Sequence, residues 1–160
     1  MVEVDCLSRY YGSRCAVDRV SFSIATNEVV GFLGLNGAGK SSTLKVLAGL
    51  MLPSSGTVTI DGVDMGTNPT AVRANIGFLP EDPPLYLEMR VTDFLRFVAG
   101  LRGMSAADIE ARLPGVLKKT NLTDVADRVI DELSHGYRKR VGIAQAIIHA
   151  PKLVILDDML

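Results

Sequence analysis

The residues with the sharpest chemical meaning are consecutive: Gly34-Leu35-Asn36-Gly37-Ala38-Gly39-Lys40-Ser41 fits the pattern G-x-x-x-x-G-K-[ST]. Glycines at these positions let the backbone turn tightly, so that its N–H groups converge on phosphate oxygens. A helix opening directly after the loop adds favourable partial positive charge. Lys40 brings a full charge to the β- and γ-phosphates, and the Ser41 hydroxyl suits Mg²⁺. The stretch Gly34 to Ser42 is therefore read as a cradle for a nucleoside triphosphate, with ATP the expected ligand. An ordinary Gly-rich turn with an exposed lysine is the plainer alternative; motif and context together outweigh it.

Asp157 ends the apolar run Leu153-Val154-Ile155-Leu156. An acid there projects from the carboxyl edge of a parallel sheet, where α/β proteins bind ligands. P-loop proteins use such an Asp to hold Mg²⁺. A charge capping a buried strand is common, so Asp157 gains its meaning from the loop.

The elements that must position these groups follow from periodicity. Val20, Phe22 and Ile24 alternate with serines as a half-buried strand. Asn27 and Glu28 make a turn, and Val29 to Leu33 reads as a strand buried on both faces. Beyond the loop, Leu44, Leu47, Ala48 and Met51 share one helix face, ended by Pro53-Ser54-Ser55-Gly56. Val58 and Ile60 alternate into an Asp61-Gly62 hairpin turn, and Ile76 to Leu79 is a further buried strand. Then the chain turns helical. Thr92 is the expected N-cap of a helix over Asp93 to Leu101 that Gly103 closes. Ser105 and Asp108 form a capping box, and Pro114 is expected to kink or interrupt the helix they open. A third helix follows Ser134-His135-Gly136, with Val141, Ala144 and Ile148 on one face, widened by Ile143 and Ile147.

Composition sets the remaining bounds. The 160 residues are 48% hydrophobic with net charge -1, which fits a folded chain and gives no global pull toward nucleic acid or anionic lipid. Cys6 and Cys15 read as reduced thiols, since two cysteines make neither a disulfide framework nor a metal cluster. His135 and His149 lack metal-ligand spacing and read as solvated or packing residues. The sequence shows no signal-peptide pattern and no apolar run long enough to span a bilayer, so a cytoplasmic location is expected.

At this point the sequence resembles the nucleotide-binding subunits of ATP-binding cassette (ABC) transporters, from about Cys6 to Asp158. Leu133-Ser134-His135-Gly136-Tyr137 is similar to the family signature L-S-G-G-Q at Leu, Ser and the second Gly. Arg138-Lys139-Arg140-Val141 and Ala144-Gln145-Ala146 match the segment after it. With Pro-Glu-Asp-Pro-Pro-Leu-Tyr upstream, the variant looks most like bacterial exporters with a separate ATPase subunit, relatives of gliding-motility and multidrug cassettes. The resemblance implies that Tyr11 stacks on adenine and that Glu81 stands where a loop glutamine senses Mg²⁺ and contacts the membrane subunit. It implies that Ser134 and Gly136 touch the γ-phosphate held by a second cassette, in a homodimer. The plainer alternatives are a strand-end tyrosine, a solvated turn residue and a simple N-cap.

Two departures from the family pattern stand out. Asp158 occupies the place of the catalytic Glu, followed by Met159-Leu160 where Pro and Ser or Thr are usual. The later dimer loop and switch histidine have no counterpart, and the strand leading to that histidine normally lies between the strand of the phosphate loop and that of Asp157. The reading is an α/β fold: a P-loop NTPase core over residues 1–82 and about 134–160, with a small antiparallel β lobe, a helical insertion over about 83–133, and the C-terminal strands of the cassette missing. Without those strands the chain is expected to be aggregation-prone or partly molten. The expected function is ATP binding and hydrolysis that drives a membrane permease, placing the protein peripherally on the inner face of the membrane and calling for no nucleic acid. A non-hydrolysing ATP-binding fragment and a soluble ABC ATPase of translation or repair are the alternatives.

Overall fold

The computed structural model describes residues 1–157; Asp158, Met159 and Leu160 lie outside the described residues. The chain divides into two units, Met1–Ala74 and a second from Asn75 onward.

The first unit holds β1 (Val2–Tyr11), β2 (Arg14–Ile24), α1 (Lys40–Leu47), β3 (Ser55–Ile60), β4 (Val63–Asp64) and α2 (Pro69–Ala74). Its strands form an antiparallel sheet in the order β2-β1-β3-β4, the small β lobe expected. Strand β2 lies where the Val20, Phe22, Ile24 alternation predicts it. The Asp61-Gly62 turn joins β3 to β4 with φ 50 and 76, both positive as a type I′ hairpin requires.

Strand β1 has no clean period, and the reason is a bulge. Val2 and Val4 are buried, but the register then shifts and the next buried apolar residue is Leu7. Cys6 sits at φ 48 and Arg19, across the ladder, at φ 45. Hydroxyls stand in for the broken ladder: Ser21 Oγ accepts the Cys6 N–H at 2.8 Å, and Ser8 Oγ accepts the Arg19 N–H at 3.0 Å.

Helix α1 is shorter than expected. It ends at Leu47, with Gly49 at φ 70. The Gly49 N–H reaches Val46 O and the Leu50 N–H reaches Lys45 O, the paired bonds of a Schellman cap. Its buried residues are Thr43, Val46 and Leu47, so the inward face is rotated from the predicted one. Helix α2 carries an unread start signal, Asn68-Pro69: Asn68 Oδ1 accepts the Ala71 N–H at 3.2 Å, and proline takes the first helical position.

Val29–Leu33 corrects the reading more sharply. The segment joins no strand, and Val29 is 99% and Leu33 81% exposed. Val30 is 47% exposed, and Phe32 is partly covered, its ring 5.8 Å from that of Phe22. An apolar run becomes a buried strand only where neighbours take its N–H and C=O groups, and among the described residues none does.

The second unit contains β5 (Ile76–Leu79), α3 (Val91–Leu101), α4 (Ala106–Lys119), two short 3-10 turns, α5 (His135–Ile147) and β6 (Leu153–Leu156). β5 and β6 pair in parallel, Ile76 opposite Leu153 through Leu79 opposite Leu156. Phe94, Leu95, Leu113, Leu117, Ile130, Val141, Ala144 and Ile148 belong to one buried cluster that binds the three helices together.

The N-cap of α3 is Arg90, not Thr92. The Val91 N–H donates to Arg128 O and the Thr92 N–H to Ala126 O, so backbone carbonyls satisfy the first-turn donors that a side-chain cap would take. Thr92 is buried inside the helix. Gly103 closes α3 at φ 79, as expected. Ser105 caps α4: its Oγ accepts the Asp108 N–H at 3.1 Å and contacts Asp108 Oδ2 at 2.6 Å. Pro114 does not interrupt α4, which runs unbroken to Lys119. The proline lies on the exposed face, where water can solvate the carbonyl it leaves unpaired, while Leu113, Val116 and Leu117 hold the other face in the core.

Helix α5 crosses β5 with almost no space between them. A Cβ on Gly77 would fall 2.0 Å from Ala146 O, and one on Gly142 would fall 2.5 Å from Leu79 Cδ1. Beyond α5, His149 Nε2 lies 3.1 Å from Ile76 O, while the buried Nδ1 has no hydrogen-bond partner. Burial holds the imidazole below its usual pKa, and the charges of Arg102 and Arg112 add to that effect.

Two predictions follow from this joint. Gly77→Val should lower stability by about 1–3 kcal/mol or more, read as a reduced urea midpoint, because the helix backbone must retreat. The His149 contribution should be complete above pH ~6.5 and be lost as pH falls below it, since the unfolded chain then binds the extra proton. Thermal midpoints from pH 7.5 to 5 should fall more steeply in the native chain than in His149→Gln.

Candidate functional site

The phosphate-loop residues lie at the start of α1. Gly39 is the N-cap, with φ 90 and ψ 8. A Cβ there would meet Ala16 O at 2.2 Å, so only glycine both takes the left-handed turn and passes the β2 backbone. Gly37 turns likewise at φ 83. The Ala38 N–H donates to Leu35 O at 3.1 Å, closing the loop on itself. Lys40 Nζ donates to Gly34 O at 2.7 Å and Leu35 O at 3.0 Å, so the ammonium is folded back over the loop. The Gly39 N-cap makes no side-chain cap bond to α1, and a helix start of this kind suits an anion. Thr43, buried one turn in, donates its hydroxyl to Gly39 O at 3.0 Å and anchors the turn from below. Leu35, Asn36 and Ser41 are exposed.

Tyr11, at the end of β1, reaches this same turn. Its hydroxyl lies 3.3 Å from Ser42 Oγ and 3.2 Å from Met51 Sδ. The Ser42 hydrogen bond holds the phenol below its ordinary pKa, with the Arg9 guanidinium acting in the same direction. Tyr11 as a whole is 42% exposed. Arg9 is a residue that sequence reading missed. Its guanidinium carbon lies 4.9 Å from the Tyr11 ring centroid. The signal was available, since residues two apart on a strand share a face.

In the second unit, Asp157 and Glu81 leave the carboxyl ends of adjacent parallel strands. The Asp157 N–H donates to Leu79 O at 2.9 Å, extending the β5–β6 ladder by one bond. Glu81 is exposed two residues beyond Leu79. Ser134 is the N-cap of α5; its Oγ accepts the Tyr137 N–H over a long 3.5 Å, and Gly136 lies open in the first turn with nothing within 4 Å of a Cβ. Arg138 ties this helix start to the preceding turn: Nη2 bonds Asp131 O and lies 3.0 Å from Asp131 Oδ1, and Nε donates to Ile130 O at 3.3 Å. Asp158 lies outside the described residues. His135 is exposed, and His149 packs on β5; among the described residues no group of three His, Cys, Asp or Glu side chains is placed to hold a metal. No described helix is long and apolar enough to cross a membrane.

Tyr11, Lys40, Ser41 and Ser42 thus belong to the first unit, and Glu81, Ser134, Gly136 and Asp157 to the second. An uncharacterized ABC transporter ATP-binding protein of Bacillus subtilis is 38% identical over 99% of this chain and 52% of its own length. The Nod factor export ATP-binding protein I of Paraburkholderia xenovorans is 34% identical over 98% of the chain and 52% of its own. The chain spans about half the length of these curated relatives. A solved ATP-binding subunit of an ABC transporter superimposes with TM-score 0.85 at 35% identity, over 97% of this chain and 65% of that one. The dimeric cassette MJ0796 gives TM-score 0.85 at 25% identity, over 98% of this chain and 73% of its own. The family profile described as ABC transporter matches residues 17–160, and with an uncapped glycine-turned loop in one unit and the signature helix in the other, the chain belongs to the ABC transporter family as an ATP-binding domain.

Proposed function

We propose that the loop Gly34–Ser42 binds the phosphates of ATP, and that the whole protein uses ATP binding and hydrolysis to drive substrate movement by a membrane permease. The observation that carries this reading is the loop itself. Gly39 turns against Ala16 O, leaving an uncapped helix start beside an ammonium that its own loop's carbonyls hold in place. An arriving triphosphate competes for Lys40 with two neutral carbonyls, and a charged acceptor is the stronger partner. Backbone N–H groups of the loop and of the first turn of α1 then serve the phosphate oxygens without side-chain reorganisation.

The remaining roles rest on family likeness together with position. Tyr11 offers a half-exposed ring to adenine. Ser41 in the first unit and Glu81 and Asp157 in the second each carry oxygen donors of the kind hard cations prefer, and family likeness assigns each of them to Mg²⁺. Ser134 and Gly136 open α5 with one weak cap bond, which suits them to meet a phosphate presented by a second cassette. That arrangement requires a homodimer, and transport requires the permease, through which the protein would sit on the inner face of the membrane. Asp158 is the proposed general base.

Lys40→Ala should abolish ATP binding measured by calorimetry and weaken inorganic tripolyphosphate in parallel, since the lost charge serves phosphates and not the base. Unchanged affinity for both would remove the phosphate-loop reading. Asp158 is one methylene shorter than the family's Glu, and a misplacement of about 1 Å can cost on the order of a hundredfold in rate. In the full-length protein Asp158→Glu should therefore raise steady-state phosphate release while leaving nucleotide affinity nearly unchanged. A fall in turnover would take the base assignment away from Asp158.

A further inference from the structure

Arg9 is held more firmly than a surface arginine. Its Nη1 donates to Leu52 O at 3.1 Å, and its Nε is buried without a hydrogen-bond partner. The guanidinium carbon stands 4.9 Å over the Tyr11 ring centroid. A buried N–H of a cation with no oxygen acceptor is costly, and the electron-rich face of the ring is the compensation at hand. The contact is therefore built into the site, anchored on one side by the backbone after α1 and on the other by the ring.

Three groups then define where the Tyr11 ring lies. Arg9 covers one face, while Ser42 Oγ and Met51 Sδ hold the hydroxyl at 3.3 and 3.2 Å. Ser42 is in the first turn of α1, two residues after Lys40. The ring is thus tied to the same turn that carries the phosphate loop. With one face occupied by the guanidinium, a planar ligand can stack only on the other, which accounts for a residue that is well fixed yet 42% exposed.

We propose that Arg9 is a positioning residue for the nucleobase: it backs the Tyr11 ring so that one face is presented to adenine at a set distance from the phosphate loop. This rests on the reading of Tyr11 as the base-stacking residue. Arg9 acts through the ring and touches neither base nor phosphate. Its loss lets the ring rotate or tilt into the space the guanidinium leaves, which weakens the base contact and spares the phosphate contacts.

The test compares ATP with inorganic tripolyphosphate in the full chain, by calorimetry, for four proteins: native, Arg9→Met, Tyr11→Ala and the double variant. Arg9→Met should weaken ATP about two- to fivefold, the scale of a partly exposed cation–π contact, and leave tripolyphosphate unchanged. In the Tyr11→Ala background the same substitution should have no further effect on ATP, since coupled residues are non-additive. Arg9→Lys keeps the charge without the planar fork, should fall between native and Arg9→Met, and replaces Arg9→Met in the comparison if that variant does not fold. Equal losses for ATP and tripolyphosphate would show that the Arg9 charge serves the phosphates and overturn the proposal. So would an additive loss in the double variant, or unchanged ATP affinity in Arg9→Met while Tyr11→Ala weakens it. If Tyr11→Ala itself leaves the ratio of the two ligands unchanged, the base-stacking reading fails, and the proposal goes with it.

Discussion

At Gly39 the backbone passes so near the Ala16 carbonyl that a single added carbon would lie 2.2 Å from the oxygen, and the geometry of the first unit's site depends on that passage. It sets where α1 begins, and therefore where Lys40, Ser41 and Ser42 stand. Glycine at this left-handed φ of 90 has no side chain to cap the helix, and an uncapped helix start is a place where backbone N–H groups can meet an anion. Thr43 braces the turn from inside the helix, and Tyr11 touches it from β1. The turn from Gly39 into α1 is thus held between a strand and its own helix, which is the preorganisation that anion binding rewards.

The second unit relies on a similar economy of space. Glycines at 77 and 142 let α5 lie directly on β5, and β6 pairs beside β5 in parallel. Because α5 begins at Ser134 and β6 leads to Asp157, the signature and the acidic strand end are carried by one tightly packed assembly. The hydrophobic cluster of α3, α4 and α5 supports that assembly from the other side of the helix. Helix ends here are closed by backbone geometry more than by side chains. Gly103 and Asn121 both take positive φ after their helices, and the N–H groups of Met104 and Leu122 return to Ala99 O and Leu117 O.

Polar atoms without partners mark where the fold accepts a cost. His149 keeps a buried nitrogen unpaired between α5 and β6, and Arg9 keeps one beside Tyr11. The first is compensated by neutrality of the ring, since burial disfavours its charged form. The second is compensated by an aromatic face. The chemistry of the side chain decides which remedy is open: imidazole can shed its proton at neutral pH, and guanidinium cannot.

Local signals determined a good deal of this protein. The phosphate loop, the Ser134 and Ser105 caps, the Asp61-Gly62 hairpin, the strands at 76–79 and 153–156 and the buried face of α5 all follow from residue types at short spacing. Such spacing encodes backbone sterics and one-turn hydrogen bonds, which need no distant partner. What the tertiary structure decided are the features whose energy comes from far along the chain. Thr92 fits an N-cap by type, but carbonyls of Ala126 and Arg128 move the N-cap to Arg90. Pro114 breaks a helix in isolation, and the core behind Leu113 and Leu117 carries α4 through it. The bulge at Cys6 hides the period of β1, because the hydroxyls that mend it come from Ser8 and Ser21. Val29–Leu33 has the composition of a buried strand, yet burial is a property of neighbours, and among the described residues no strand stands beside it.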